Sequence, residues 1–121
     1  MKHNPGFLAL VDDAKSRIRQ IDIAQYQAMR QAAEAHLLVD TREESEWAAG
    51  HVAGAVHLGK GIIERDIETK VPDRNTTLVL YCGGGFRSAL VADNLRQMGY
   101  ANAISLDGGW RALKESGLRL E

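Results

Sequence analysis

Apolar positions along the chain follow two rhythms, short unbroken runs and longer stretches spaced three or four residues apart. Phe7, Val11, Ala14, Ile18 and Ile21 are spaced four, three, four and three apart, which predicts one helix stripe packed on the domain's own core. The stripe is shorter than the ~3–4 heptads of a coiled coil, and it leaves dimerisation open as a second use. A break near Gln20-Ile21 predicts a short edge strand. Asp22 and Gln25 form a capping box that opens a second helix, with Ile23, Tyr26, Met29 and Ala33 along one face.

The unbroken runs come next. Leu37-Leu38-Val39, ending at Asp40, reads as a buried parallel strand. Thr41 is expected to cap a brief helix that Gly50 stops, and Ala55-Val56-His57-Leu58 is a second short strand. Ile62, Ile63 and Ile67 are arranged helically between Gly61 and Lys70, and Pro72 closes that segment. Thr77 to Tyr81 is the strongest strand, because β-branched and apolar residues fill it without alternation. Ser88 to Met98 reads as a helix with Val91, Leu95 and Met98 inward and Gly99 as its stop. Ala103 to Leu106 is one more strand, and a last helix follows Gly108-Gly109. Strands alternating with helices predict an α/β domain, a parallel sheet covered on both faces. Residues 1–20 form an N-terminal helical extension and residues 21–121 the domain itself.

Composition narrows the partners. A chain of 121 residues, 45% hydrophobic and 26% charged, fits a single soluble domain with a real core. A formal net charge of −1 gives no reason to expect nucleic acid or an anionic membrane surface. No apolar run approaches the roughly 20 residues that span a bilayer. The apolar patch Phe7 to Val11 is broken by Asp12 and Asp13, unlike a signal peptide, and the single cysteine excludes an internal disulfide. The expected location is cytoplasmic.

The candidate chemistry sits in Tyr81-Cys82-Gly83-Gly84-Gly85-Phe86-Arg87-Ser88. A strand, a glycine-rich loop and a helix N-terminus make an anion cradle, because backbone N–H groups converge there. A thiol at the mouth of such a cradle is favoured as thiolate, its reactive form. Gly83, Gly84 and Gly85 are expected to free the backbone for positive φ and turn N–H groups inward. Arg87 adds fixed charge at the far lip, and Phe86 an apolar wall. Any one of these features alone reads as packing; a lone cysteine after a strand is commonly a small core hydrophobe. Asp40-Thr41-Arg42 also follows a strand directly, where ligands bind in open α/β sheets. His3, His36 and His57 show no ligand spacing, so no metal or other cofactor is expected.

Cysteine, four residues, then arginine resembles the active-site loop of the rhodanese family of sulfurtransferases. Two further stretches share the likeness. Leu38 to Glu43, with Glu46-Trp47 and Gly50 to Ala55, resembles the family's first signature. Leu106-Asp107-Gly108-Gly109-Trp110 with Gly117-Leu118 resembles its closing one. The resemblance implies a small three-layer rhodanese-like domain over residues 21–121. It also implies sulfane-sulfur transfer: Cys82 takes sulfur from thiosulfate or a persulfide or polysulfide donor, becomes a persulfide, and passes it to cyanide, a thiol or a protein. The amides of residues 83 to 87 would hold the persulfide, Arg87 would orient the loop or meet an anionic donor, and Asp40 would support the region. Arg42 is expected either to pair structurally, with Glu43, or to be solvated. His51 is expected to pack or hydrogen-bond.

The loop lacks the basic or hydroxyl residue that many thiosulfate-using relatives carry, which points toward a persulfide donor. Related phosphatase and arsenate-reductase loops place five residues between cysteine and arginine, and this one has four. The alternative to turnover is a low-turnover sulfur carrier or persulfide sensor that relays sulfur to a protein partner.

Overall fold

The computed structural model describes residues 3–121. Five strands, β1 (Arg19–Ile21), β2 (Leu37–Asp40), β3 (Val56–His57), β4 (Leu78–Tyr81) and β5 (Ala103–Leu106), form one parallel sheet in the order β1-β5-β4-β2-β3. The least interrupted apolar runs, β4 and β5, take central places, where both faces must be apolar. Leu80 of β4 pairs with Val39 on one side and Ser105 on the other. The predicted edge strand before Asp22 is β1, and it lies at the rim of the sheet.

Helices cover both faces. Leu78 and Leu80 point into a cluster with Ile63 and Ile67 of α4 (Ile63–Lys70) and Val91 and Leu95 of α5 (Phe86–Gln97). Val79 and Tyr81 point the other way, toward Tyr26 and Met29 of α2 (Ile23–Gln31) and Leu113 of α6 (Gly109–Lys114). Fully burying a side chain of this size stabilises by about 1.5–3 kcal/mol, so the two-residue alternation of β4 serves both layers at once. The α2 capping box forms as expected: Gln25 N–H donates to Asp22 Oδ1 and Asp22 N–H to Gln25 Oε1, both at 2.8 Å.

Three expectations are corrected. The N-terminal helix, α1 (Pro5–Lys15), ends before Ile18 and Ile21, which pack into opposite core clusters. Thr41 does not cap the next helix, α3 (Glu44–Ala49). It is buried, its N–H and Oγ1 both donating to the Tyr81 carbonyl, while Glu43 is the cap and its N–H donates to Glu46 Oε1. Ala33 lies past the end of α2 with φ 53° and is exposed, so it is not on the packed face.

The helix α1 packs on α5 from outside. Val11 and Ala14 are buried there, and Arg17 bridges to Asp93 of α5 with N···O distances of 3.2 and 2.8 Å. The apolar stripe at Val11 and Ala14 is thus covered by the chain itself.

Candidate active site

The buried run of β4 ends at Tyr81 and delivers Cys82 to the carboxyl edge of the sheet. The Cys82 side chain is 1% exposed, at the floor of a cleft of about 930 Å³. The N–H of Gly85 donates to Sγ at 3.1 Å. Behind the sulfur, the thiol donates to Ser88 Oγ at 3.5 Å, and Ser88 Oγ lies 2.8 Å from Ser105 Oγ. Both serines are fully buried, so a short hydroxyl chain ends on the sulfur.

The loop is held from outside by the start of α6. Trp110 N–H donates to the Cys82 carbonyl at 2.7 Å, Arg111 N–H to that of Gly83 at 3.2 Å, and Gly108 N–H to that of Gly84 at 3.3 Å. Of the loop's N–H groups, that of Gly85 reaches the sulfur. Gly109, with φ 47°, permits the approach, since a Cβ there would collide with the Cys82 carbonyl. Among the three loop glycines only Gly85 takes positive φ, 101°, which narrows the expectation for Gly83 and Gly84. The helix α5 starts at Phe86 rather than Ser88, so Phe86 and Arg87 belong to its first turn, whose N–H groups lack acceptors within the helix.

Arg87 does not stand alone at the lip. Its guanidinium makes a two-pronged pair with Glu46 of α3, at 2.9 and 3.2 Å. That hydrogen bond is the main reason the Arg87 pKa lies above its ordinary value, with the Cys82 charge a smaller contribution, and it holds Glu46 below the usual carboxylate range. The charge at the lip is therefore paired with a carboxylate, in a bridge that stays partly exposed.

Asp40 and Arg42 come together beneath this region rather than in the cleft. Arg42 Nη2 meets Asp40 Oδ2 at 2.7 Å, and Nε sits 3.0 and 3.1 Å from the two carboxylate oxygens. Both residues are buried, which excludes a solvated Arg42, and its partner is Asp40 rather than Glu43. Burial works against the Arg42 charge, but the bond to Asp40 and its charge outweigh that and hold the pKa up. The guanidinium lies 4.4 Å from the Trp110 ring centroid, so the pair braces the residue whose N–H holds the Cys82 carbonyl. His51 packs flat on Trp47, ring centroids 3.5 Å apart, and its Nδ1 lies 3.0 Å from the Trp47 carbonyl.

Sequence reasoning passed over Glu46, Ser88, Ser105, Arg111, His3 and Phe7 as site residues. Glu46 could have been found as the acidic partner that a lone loop arginine requires. The others come together only through the fold: His3, Phe7, Glu46, Arg87 and Arg111 all line the cleft above Cys82. Among the described residues no group of three or more His, Cys, Asp or Glu side chains is placed to hold a metal, and no helix is long and apolar enough to cross a membrane.

Residues 22–116 match the rhodanese-like domain family model. The chain is 37% identical over 93 residues to the thiosulfate sulfurtransferase GlpE of Pseudomonas entomophila, covering 74% of this chain and 84% of that protein. It is 31% identical over 70 residues to the thiosulfate sulfurtransferase PspE of Escherichia coli, covering 58% and 67%. Among solved structures, a Rhodopseudomonas palustris protein of unknown function, described as a possible tyrosine phosphatase, superposes with a TM-score of 0.84 at 28% identity. That alignment spans 100% of this chain and 98% of the other, α1 included.

Proposed function

This chain belongs to the rhodanese-like domain family, and we propose that it is a sulfurtransferase working through a persulfide on Cys82. The observation that carries the reading is the Cys82 sulfur at the floor of the cleft, met by the Gly85 N–H and backed by the Ser88 hydroxyl. Such a site suits an anionic sulfur that needs hydrogen-bond donors more than a general base.

The step balances without an outside oxidant. The Cys82 thiolate attacks the outer sulfur of thiosulfate, an S–S bond forms to Cys82, the donor S–S bond breaks, and sulfite leaves with the bonding pair. A thiophile such as cyanide then takes the sulfane sulfur, thiocyanate leaves, and the thiolate returns. With a persulfide R–S–SH as donor, R–S⁻ leaves and takes up the persulfide proton. With Cys82 as thiolate the Ser88 hydroxyl turns to donate to Sγ instead of accepting from it, and Arg87 holds the loop against α3 through Glu46.

The names of the sulfurtransferase relatives support this class of reaction. The phosphatase description attached to the R. palustris protein is less well served, because the four residues between Cys82 and Arg87 leave less room than a tetrahedral phosphate needs. Thiocyanate formation from cyanide and a sulfane donor tests the proposal: it is expected with the wild type and absent from Cys82→Ser. Equal turnover by the two proteins would overturn it.

A further inference from the structure

Helix α1 lies outside the stretch that matches the family model, yet its open end reaches the cleft. Its docking onto α5 is complete without that end, resting on buried Val11 and Ala14 and on Arg17–Asp93. His3 and Phe7 are only partly buried and project over the loop. The His3 and Phe86 ring centroids are 4.3 Å apart, and those of His3 and Phe7 5.3 Å. Three rings from two separate segments thus make one aromatic wall in the cleft that Cys82 also lines.

The remainder of the cleft offers a small dianion little free positive charge. The Arg87 charge is taken by Glu46, and Glu115 adds a second carboxylate to the lining. Arg111, exposed in the cleft lining, has no carboxylate partner among the described residues. At about 930 Å³ the cleft falls in the range of ~300–1,000 Å³ that holds organic ligands, far larger than thiosulfate.

We propose that the N-terminal segment is part of the substrate site, His3 ahead of α1 and Phe7 within it selecting, with Phe86, a low-molecular-weight organic persulfide with an apolar body as sulfur donor in preference to thiosulfate. This rests on the sulfurtransferase reading above. The chemistry is the persulfide step already given, R–S⁻ leaving along the ring wall. Specificity then comes from burying the body of R, which an inorganic donor lacks.

The test compares kcat/KM for benzyl persulfide and for thiosulfate in the wild type, in Phe7→Ala, in His3→Ala and in Leu10→Ala. Leu10 lies on the same helix, is 57% exposed and does not line the cleft. The wild type is expected to favour benzyl persulfide. The ratio of the two constants should fall about ten-fold in Phe7→Ala, less in His3→Ala, and stay at the wild-type value in Leu10→Ala. Thermal unfolding of each variant checks that α1 remains docked. A wild-type preference for thiosulfate, or equal losses on both donors in Phe7→Ala, would overturn the inference while leaving sulfur transfer standing. Failure of both donors to transfer sulfur would instead strike the sulfurtransferase reading itself.

Discussion

At the scale of single residues, the loop's shape depends more on Gly85 than on Gly84. A side chain at Gly84 would meet only the Phe86 ring at ordinary contact distance, and its φ is unexceptional. At Gly85 a Cβ would sit 3.3 Å from Asp107 Cα, Gly108 N and the Leu106 carbonyl, on backbone with φ 101°. Gly85→Ala is therefore expected to cost about 1–3 kcal/mol and most of the transfer activity, while Gly84→Ala keeps stability near wild type. Denaturant unfolding with a turnover assay checks this; equal effects at both positions would show that the Gly85 N–H geometry is not what holds the sulfur. The cysteine, the arginine and their spacing were legible in the sequence because they are contiguous. The roles of Glu46 and of the Ser88–Ser105 hydroxyls were not, because those contacts span 41 and 17 residues of chain.

At the scale of elements, two charged pairs fasten pieces of the molecule together. Asp40 and Arg42 are buried and brace Trp110 against the back of the loop. Asp40→Asn leaves the Arg42 charge uncompensated and is expected to destabilise by about 3 kcal/mol, read as a lower denaturation midpoint. A midpoint within error of wild type would contradict the bracing role. The second pair docks α1. The Arg17 hydrogen bond, chiefly, holds the Asp93 carboxyl below the ordinary aspartate value of 3.8. A lowered folded-state pKa means stabilisation that is complete above the unfolded value and lost as pH falls through the folded one. Amide protection of residues 5–15 should accordingly fall in acid below that window in the wild type, and Arg17→Gln should flatten this dependence. Identical profiles for the two proteins would dissociate the pair from docking. The element order was readable from the chain's two apolar rhythms. The end of α1 was not, because Ile18 and Ile21 continue a helical spacing while β1 pairing with β5 claims the backbone at Arg19. The α3 cap was misassigned for a related reason: Thr41 is held by its bonds to the Tyr81 carbonyl.

For the whole molecule, the sheet order places β4 between β2 and β5, so the three stretches that carry the family likeness converge at one edge. The β2 end contributes Asp40 and Arg42, the β4 end Cys82, and the turn after β5 the amides that hold the loop carbonyls. That convergence is why three separated motifs are more informative together than the loop alone. The Cys-to-Arg spacing makes a further prediction at this scale: an aryl phosphate should show no Cys82-dependent hydrolysis, and phosphate release that disappears in Cys82→Ser would favour the phosphatase chemistry instead. The central claim, a sulfur carried on Cys82, is tested most directly by intact-protein mass after incubation with thiosulfate and, separately, with an organic persulfide. The account predicts a gain of one sulfur atom, larger in yield with the organic donor, removed by cyanide and absent in Cys82→Ser. An unchanged mass with both donors, or a gain that persists in Cys82→Ser, would contradict it.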